Sequence, residues 1–261
     1  MAFGINETSV LAGSALQAEI QPAPFEICQP QALFGGNSYP GRCVVLGKSA
    51  DGKSLAAAYF IMGRSANSRN RVFEENGENL TIYPADASKV EDASLIIYSP
   101  VRRLGQQLIV TNGDQTDTIY DFLQVGRSFE DALQTRAFEP DAPNFTPRIS
   151  GLLQLDGSEH YQLSILKAMD AEGTCCARYV FDYRAEAGLG HCIHTYAHDG
   201  NPLPSFCGEP ERIAVPDSAK EFADSLWASL DEDNRISLFV CYYSIADGTR
   251  DSVVINRFRK V

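Results

Sequence analysis

The chain has 261 residues, enough for one large domain or two small ones, and its composition of 44% hydrophobic and 21% charged residues is that of a folded globular protein with a sizeable core. With 22 Lys+Arg against 34 Asp+Glu, a net charge of -12, it lacks the extended basic face that nucleic acid or a membrane surface would call for. An anionic ligand would have to be held by a local cluster of basic residues.

No apolar run reaches the roughly 18 residues of a membrane helix, so no membrane partner is expected. The first twenty residues lack the basic start and apolar block of a secretory signal, and a cytoplasmic location is expected. The seven cysteines are an odd number lying mostly in apolar runs, which suits reduced core thiols better than a disulfide framework.

In chain order, residues 1 to about 36 contain Pro22, Pro24, Pro30 and a Gly35-Gly36-Asn37 turn, and read as an arm laid on the domain. RCVVLGK (42–48) and LAAAYFIM (55–62) then flank an Asp51-Gly52 turn, the pattern of a β-hairpin. Further strands are predicted at 79–84, 94–99, 107–112, 148–155, 161–169, 174–183, 191–197, 235–245 and 251–258. Helical spacing interrupts this rhythm twice. Residues 117–137 carry a start at Ser128 with Glu130 and Asp131, and apolar Phe129, Leu133 and Ala137 on one face. Residues 216–230 open with Ser218-x-x-Glu221 and place Phe222, Leu226 and Leu230 on one stripe. Many strands with one central and one late helical segment predict an α+β layered domain.

Three polar clusters stand at strand ends. MGRSANSRNR (62–71) concentrates Arg64, Arg69 and Arg71 just after an apolar strand, where guanidinium forks can meet phosphate or carboxylate oxygens; a solvated loop paired with surface acids is the competing reading. TNGDQTDTIYD (111–121) crowds Asn112, Asp114, Thr116 and Asp117 around one glycine, more polar groups than a turn and helix cap need. EPDAPNFTPRISG (139–151) is stiffened by three prolines and delivers Glu139, Asp141 and Arg148, or is a plain crossover. His191, Cys192, His194, His198 and Cys207 do not have a recognised ligand spacing, and no metal is expected. Vicinal Cys175-Cys176 reads as core.

Together, YPGR (39–42), AYFIMGRSANSRNR (58–71), TNGDQTDTIYD and EPDAPNFTPRISG resemble the archaeal-type IMP cyclohydrolase family and its bacterial relatives, strongly over residues 38–151 and weakly beyond. The resemblance implies an αββα sandwich of four layers, similar to N-terminal nucleophile hydrolases but without self-processing, and no cofactor or metal. It implies closure of 5-formamidoimidazole-4-carboxamide ribotide to inosine monophosphate (IMP) with loss of water, in purine biosynthesis. The expected partner is a small purine ribonucleotide, with room for a homo-oligomer. Residues 1–37 would be an extension packed on a single domain of residues 38–261, which makes Cys43 internal and unable to serve as an N-terminal nucleophile.

On this basis Arg42, Arg64, Arg69 and Arg71 are candidates for holding the phosphate and the oxyanion, with Arg42 and Arg69 assigned first to catalysis. Tyr98 would donate to the formyl oxygen. Asn112, Asp114 and Asp117, supported by Thr116, would grip the carboxamide or ribose. Glu139 would transfer protons with Arg148 orienting it, unless the two form only a loop-stiffening ion pair. A purine-nucleotide-binding protein without turnover, and a thiol-dependent amide hydrolase of the same fold, are the competing functions.

Overall fold

The computed structural model describes residues 25–90 and 98–260. Its strands are β1 (Arg42–Lys48), β2 (Ser54–Met62), β3 (Val72–Asn76), β4 (Asn79–Tyr83), β5 (Val101–Leu104), β6 (Gln107–Thr111), β7 (Arg148–Gln154), β8 (His160–Ala168), β9 (Cys176–Arg184), β10 (Leu189–His194), β11 (Glu211–Ala214), β12 (Arg235–Ser244) and β13 (Arg250–Asn256). The helices are α1 (Pro30–Phe34), α2 (Ala66–Arg69), α3 (Gln115–Gln124), α4 (Phe129–Gln134) and α5 (Ala219–Ser229). All sheet pairing is antiparallel, in a six-stranded sheet ordered β11-β10-β1-β2-β12-β13 and a seven-stranded sheet ordered β3-β4-β5-β6-β7-β8-β9.

The alternation of side chains along a strand explains why the central strands read as continuous apolar runs. In β1, Val44 and Leu46 enter the core between the sheets, while Cys43 and Val45 enter a second core under α1 and α5. β12 divides in the same way, with Phe239, Cys241 and Tyr243 on the inner side and Leu238, Val240 and Tyr242 on the outer. A third core, around Ile109, Leu152 and Leu166, lies under α3 and α4.

The hairpin at Asp51-Gly52 forms as expected, with Gly52 at φ +73. Ser218 caps α5 by accepting from Glu221 N at 3.2 Å. The single helical segment expected at 117–137 is two helices, because the chain turns at Gly126 (φ +77) and Ser128 starts a new capped helix. Strands β3, β5 and β11 are short and were not foreseen. The strand expected at 94–99 falls largely outside the described residues, as does the start of the expected arm. The arm's residues 30–34 form α1, whose Phe34 packs edge-on against Phe60 at 5.3 Å.

All seven cysteines are free. Cys43, Cys192 and Cys241 are core thiols, but Cys175 and Cys207 are exposed and Cys28 and Cys176 half-buried. The vicinal pair is therefore divided, at the sheet edge where β9 begins: Cys175 is exposed and not core, while half-buried Cys176 packs against the third core. Among the described residues, no helix is long and apolar enough to cross a membrane.

Candidate active site

A cavity of about 710 Å³ opens at one end of the two sheets, among the residues that begin β1 and β7 and those that follow β2, β6 and β10. Of the residues singled out in the sequence, Arg42, Arg64, Arg71, Tyr98, Asn112, Asp114, Glu139 and Arg148 line it. Arg69, Thr116 and Asp117 do not.

The arginine segment is ordered by one turn of helix. Ser65 and Ser68 cap α2 reciprocally, Ser68 N donating to Ser65 Oγ at 3.1 Å and Ser65 N to Ser68 Oγ at 2.9 Å. That turn sends the three arginines in different directions. Arg64 crosses to Asp199 and to Gly200 O at 3.0 Å, with its guanidinium 4.8 Å from the Tyr39 ring centre. Arg69 turns back, donating to Gly63 O at 3.0 Å and Asn234 Oδ1 at 3.2 Å, so it fixes the segment to the rest of the protein. Arg71 follows the helix and enters the cavity.

Arg42 faces Arg71 there. Its backbone is clamped by Thr195: Arg42 N donates to Thr195 Oγ1 at 3.1 Å, and Thr195 N to Arg42 O at 2.9 Å. Gly41, at φ +83, is needed beside it, since a Cβ would overlap Thr195 Oγ1 and the Tyr196 ring. Burial opposes the charge of Arg42, but the oxygens of Tyr39, Tyr196, Tyr98 and Tyr59 outweigh it and set its pKa above the ordinary value. Burial and then the Arg42 charge lower the pKa of Arg71, whose Nε has no hydrogen-bond partner. Among the described residues no carboxylate pairs with either guanidinium.

The tyrosines beside them form a directed chain. Tyr98 donates its hydroxyl to Asn112 O at 2.7 Å, which leaves its oxygen to accept from Tyr59 at 3.2 Å. The Asn112 side chain is committed to the frame: its Nδ2 donates to Pro147 O at 2.9 Å and its Oδ1 accepts from Gln115 Nε2 and Ile149 N, both at 2.9 Å. It therefore ties the end of β6 to the start of β7, and one N–H of its amide is left over at the cavity. Thr116 is buried against Gly113 O at 2.9 Å and Thr111 Oγ1 at 2.5 Å, and Asp117 pairs with Arg102 at 2.6 Å on the outer surface.

The opposite wall is an ionic lock. Arg148 donates to Asp114 Oδ1 at 2.6 Å and Gln115 Oε1 at 2.7 Å, and Arg136 takes the other Asp114 oxygen at 2.5 Å. Burial opposes ionisation of Asp114, but these two arginines outweigh it and hold the carboxyl below the usual range. Glu139 approaches Arg148 only to 3.5 Å, and its carboxylate is otherwise left facing the cavity. Gly113 permits the lock, because a Cβ would come within 2.6 Å of the Arg148 guanidinium and 2.7 Å of Gln115 Oε1.

A third group was not legible in the sequence. Tyr196, beyond β10, donates to Thr146 Oγ1 at 2.6 Å, and Thr146 in turn donates to Asp141. Its ring stacks on Tyr39 with centres 5.9 Å apart and planes 19° apart. The only sequence cue was the presence of Tyr39 in YPGR and Asp141 in the proline-rich loop. No cysteine lines the cavity. Cys43 is in the outer core beside Cys192, whose thiol is pushed well up by Cys43 and by burial. His191 points the other way, to Tyr161 Oη at 2.6 Å.

The model of the IMP cyclohydrolase-like protein family matches residues 39–248, a span that contains every cavity-lining residue. The chain belongs to this family. Among curated IMP cyclohydrolases, that of Methanopyrus kandleri is 32% identical over 154 residues, 54% of this chain and 75% of that protein. That of Methanosphaera stadtmanae is 32% identical over 167 residues, 62% and 75% of the two chains. One from Methanococcus maripaludis is 34% identical over 125 residues, 46% of this chain. The match spans 60% of the length of that Methanococcus relative.

Proposed function

We propose that this cavity closes 5-formamidoimidazole-4-carboxamide ribotide to IMP with loss of water. The observation that carries the proposal is the pair of cavity-facing guanidiniums, Arg42 and Arg71, neither in an ion pair among the described residues and Arg71 feeling Glu139 only at a distance, in a member of a family whose named relatives are IMP cyclohydrolases. Two like charges in a half-buried site are costly until an anion binds between them. The cavity also falls within the ~300–1,000 Å³ of small-molecule sites.

The nucleophile and electrophile share one imidazole ring, so the protein's first task is to hold the formamide in its reactive rotamer. The carboxamide nitrogen attacks the formyl carbon, and the formyl oxygen takes up negative charge and then a proton lost from that nitrogen. The resulting hydroxyl leaves as water with the proton of the formamide nitrogen, and the ring double bond forms. Arg42 and Arg71 hold the phosphate and the oxyanion. Tyr98 donates to the formyl oxygen by turning its hydroxyl from Asn112 O. Glu139, facing the cavity and weakly held by Arg148, moves the proton. Arg64 borders the entrance; Arg69, Asn112, Asp114, Thr116 and Asp117 act by position, holding the loops.

Residues 38–261 form one domain on this reading, with two helix-covered sheets in an αββα sandwich like that of N-terminal nucleophile hydrolases, and the reaction needs no metal or cofactor. A thiol mechanism finds no support, since Cys43 is buried in the outer core. Conversion of the formamido ribotide by the purified chain, followed by absorbance, tests the proposal: Arg71→Ala is expected to fold and to lose most turnover. Binding of IMP without product formation would replace catalysis with a nucleotide-binding role.

A further inference from the structure

Two sheets have four edge strands, and in this fold three of the edges are covered. β3 and β13 close on each other through Asn256, which accepts from Phe73 N at 2.8 Å and donates to Phe73 O at 2.9 Å. The short β11 is covered by the chain at Cys28, with Cys28 N on Arg212 O at 3.0 Å and Ala214 N on Cys28 O at 2.9 Å. Among the described residues the fourth edge, β9, pairs with β8 alone; it runs for nine residues and carries Tyr179 and Val180 at 47% and 38% exposure. A long, open, partly apolar edge is a pairing surface, and proteins usually blunt such edges.

The ladder fixes which backbone groups are available. Met169 N donates to Cys175 O at 3.0 Å and Ala185 N to Glu159 O at 2.7 Å, at the two ends of an unshifted register. The odd-numbered residues of β9 therefore bond to β8, and the N–H and C=O groups of Arg178, Val180, Asp182 and Arg184 point outward, as does Cys176 O, which accepts from Arg178 Nη1 at 3.3 Å.

We propose that β9 binds a second copy of this chain, the two strands pairing antiparallel about a two-fold axis at Val180. Across such an axis opposed residues lie equal distances from the centre and share a face. Centring on Val180 sets Arg178 against the partner's Asp182 twice, and Tyr179 against the partner's Phe181 twice; within the protomer Arg178 donates to Leu133 O at 3.3 Å and Arg136 O at 2.8 Å and Asp182 meets His160 Nε2 at 2.6 Å, exposed contacts that pairing would share or replace. Centring instead on Phe181 opposes Arg178 to Arg184, and centring on Tyr179 leaves Arg178 opposite Val180 with no ion pair. The charge pattern thus favours this register over its two neighbours, and in it Val180 exchanges both backbone bonds with its own copy. The seven-stranded sheets of two protomers then run on as one.

Sedimentation velocity on the 261-residue chain tests this. The wild type is expected as a dimer or a multiple of one. Asp182→Arg, which opposes Arg178 to a second arginine, should halve the assembly mass, and Arg178→Asp/Asp182→Arg should restore it. Val180→Pro, which removes an outward N–H and no bond to β8, should also halve it. A monomeric wild type, or an assembly that survives both Asp182→Arg and Val180→Pro, overturns the proposal. So would a wild-type monomer that dimerises once residues 1–24 are removed, because that segment would then be the occupant of β9.

Discussion

Arg42 lies close enough to Arg71 for its charge to lower the Arg71 pKa, and among the described residues no carboxylate pairs with either. The unliganded protein therefore holds two guanidiniums in mutual repulsion. Arg71→Gln should leave the melting temperature of the unliganded protein unchanged or raised, while shrinking the shift that IMP produces. Loss of a charge-assisted bond of about 1.5–3 kcal/mol corresponds to a fall in kcat/KM of roughly 10- to 100-fold. Differential scanning fluorimetry and steady-state kinetics on the same preparation check both halves.

Removing the Tyr98 hydroxyl strands the one behind it. In Tyr98→Phe the fully buried Tyr59 loses its hydrogen-bond partner, and the cost in stability should be about 1–3 kcal/mol. Tyr59→Phe/Tyr98→Phe removes both polar groups and should recover much of that stability without recovering activity. Urea denaturation of the wild type, Tyr98→Phe, Tyr59→Phe and the double variant gives the coupling directly.

Gly113→Ala tests whether the ionic lock shapes the site. The added methyl would crowd the Arg148 guanidinium, Gln115 Oε1 and, at 3.2 Å, Glu139 Oε1. Overpacking here should cost about 1–3 kcal/mol. Turnover should fall although no reacting group has been removed. A variant with wild-type stability and activity would show that the lock has slack.

These residues mark what the sequence could and could not reveal. The double-sided burial of β1, β2 and β12 wrote itself as apolar runs, and the caps at Ser128 and Ser218 were readable as local patterns. The position of Arg69 was not. Whether an arginine two residues from Arg71 enters the cavity or turns back depends on the single helical turn capped by Ser65 and Ser68, and a serine pair three residues apart is a faint signal. Asn112 looked like a ligand group because its type is right for one, yet its oxygen is taken by Gln115 and Ile149 and one N–H by Pro147, and the contacts with Pro147 and Ile149 are made across the sheet. Tyr196 reaches the site only through the pairing of β10 with β1, which no local pattern encodes.

Acid should weaken the fold through His191. Burial and then the nearby Arg212 lower its pKa to about 4, while it holds Tyr161 Oη at 2.6 Å. Its folded-state pKa lies below the unfolded value of about 6.5, so the unfolded chain binds the extra proton between these pH values. The contribution is whole above about pH 6.5, is lost as pH falls toward 4, and is on the order of 3 kcal/mol. His191→Gln should flatten the pH dependence of unfolding free energy in that window. An unchanged slope would show that another group titrates there.

The most direct test of the central claim is a single-turnover experiment with the purified 261-residue chain and the formamido ribotide, following absorbance and the mass of the product. The account predicts formation of IMP with loss of one water and no added metal, most of it lost in folded Arg42→Ala and Arg71→Ala variants. Bound substrate that stays unchanged, or turnover that survives both substitutions, would contradict it.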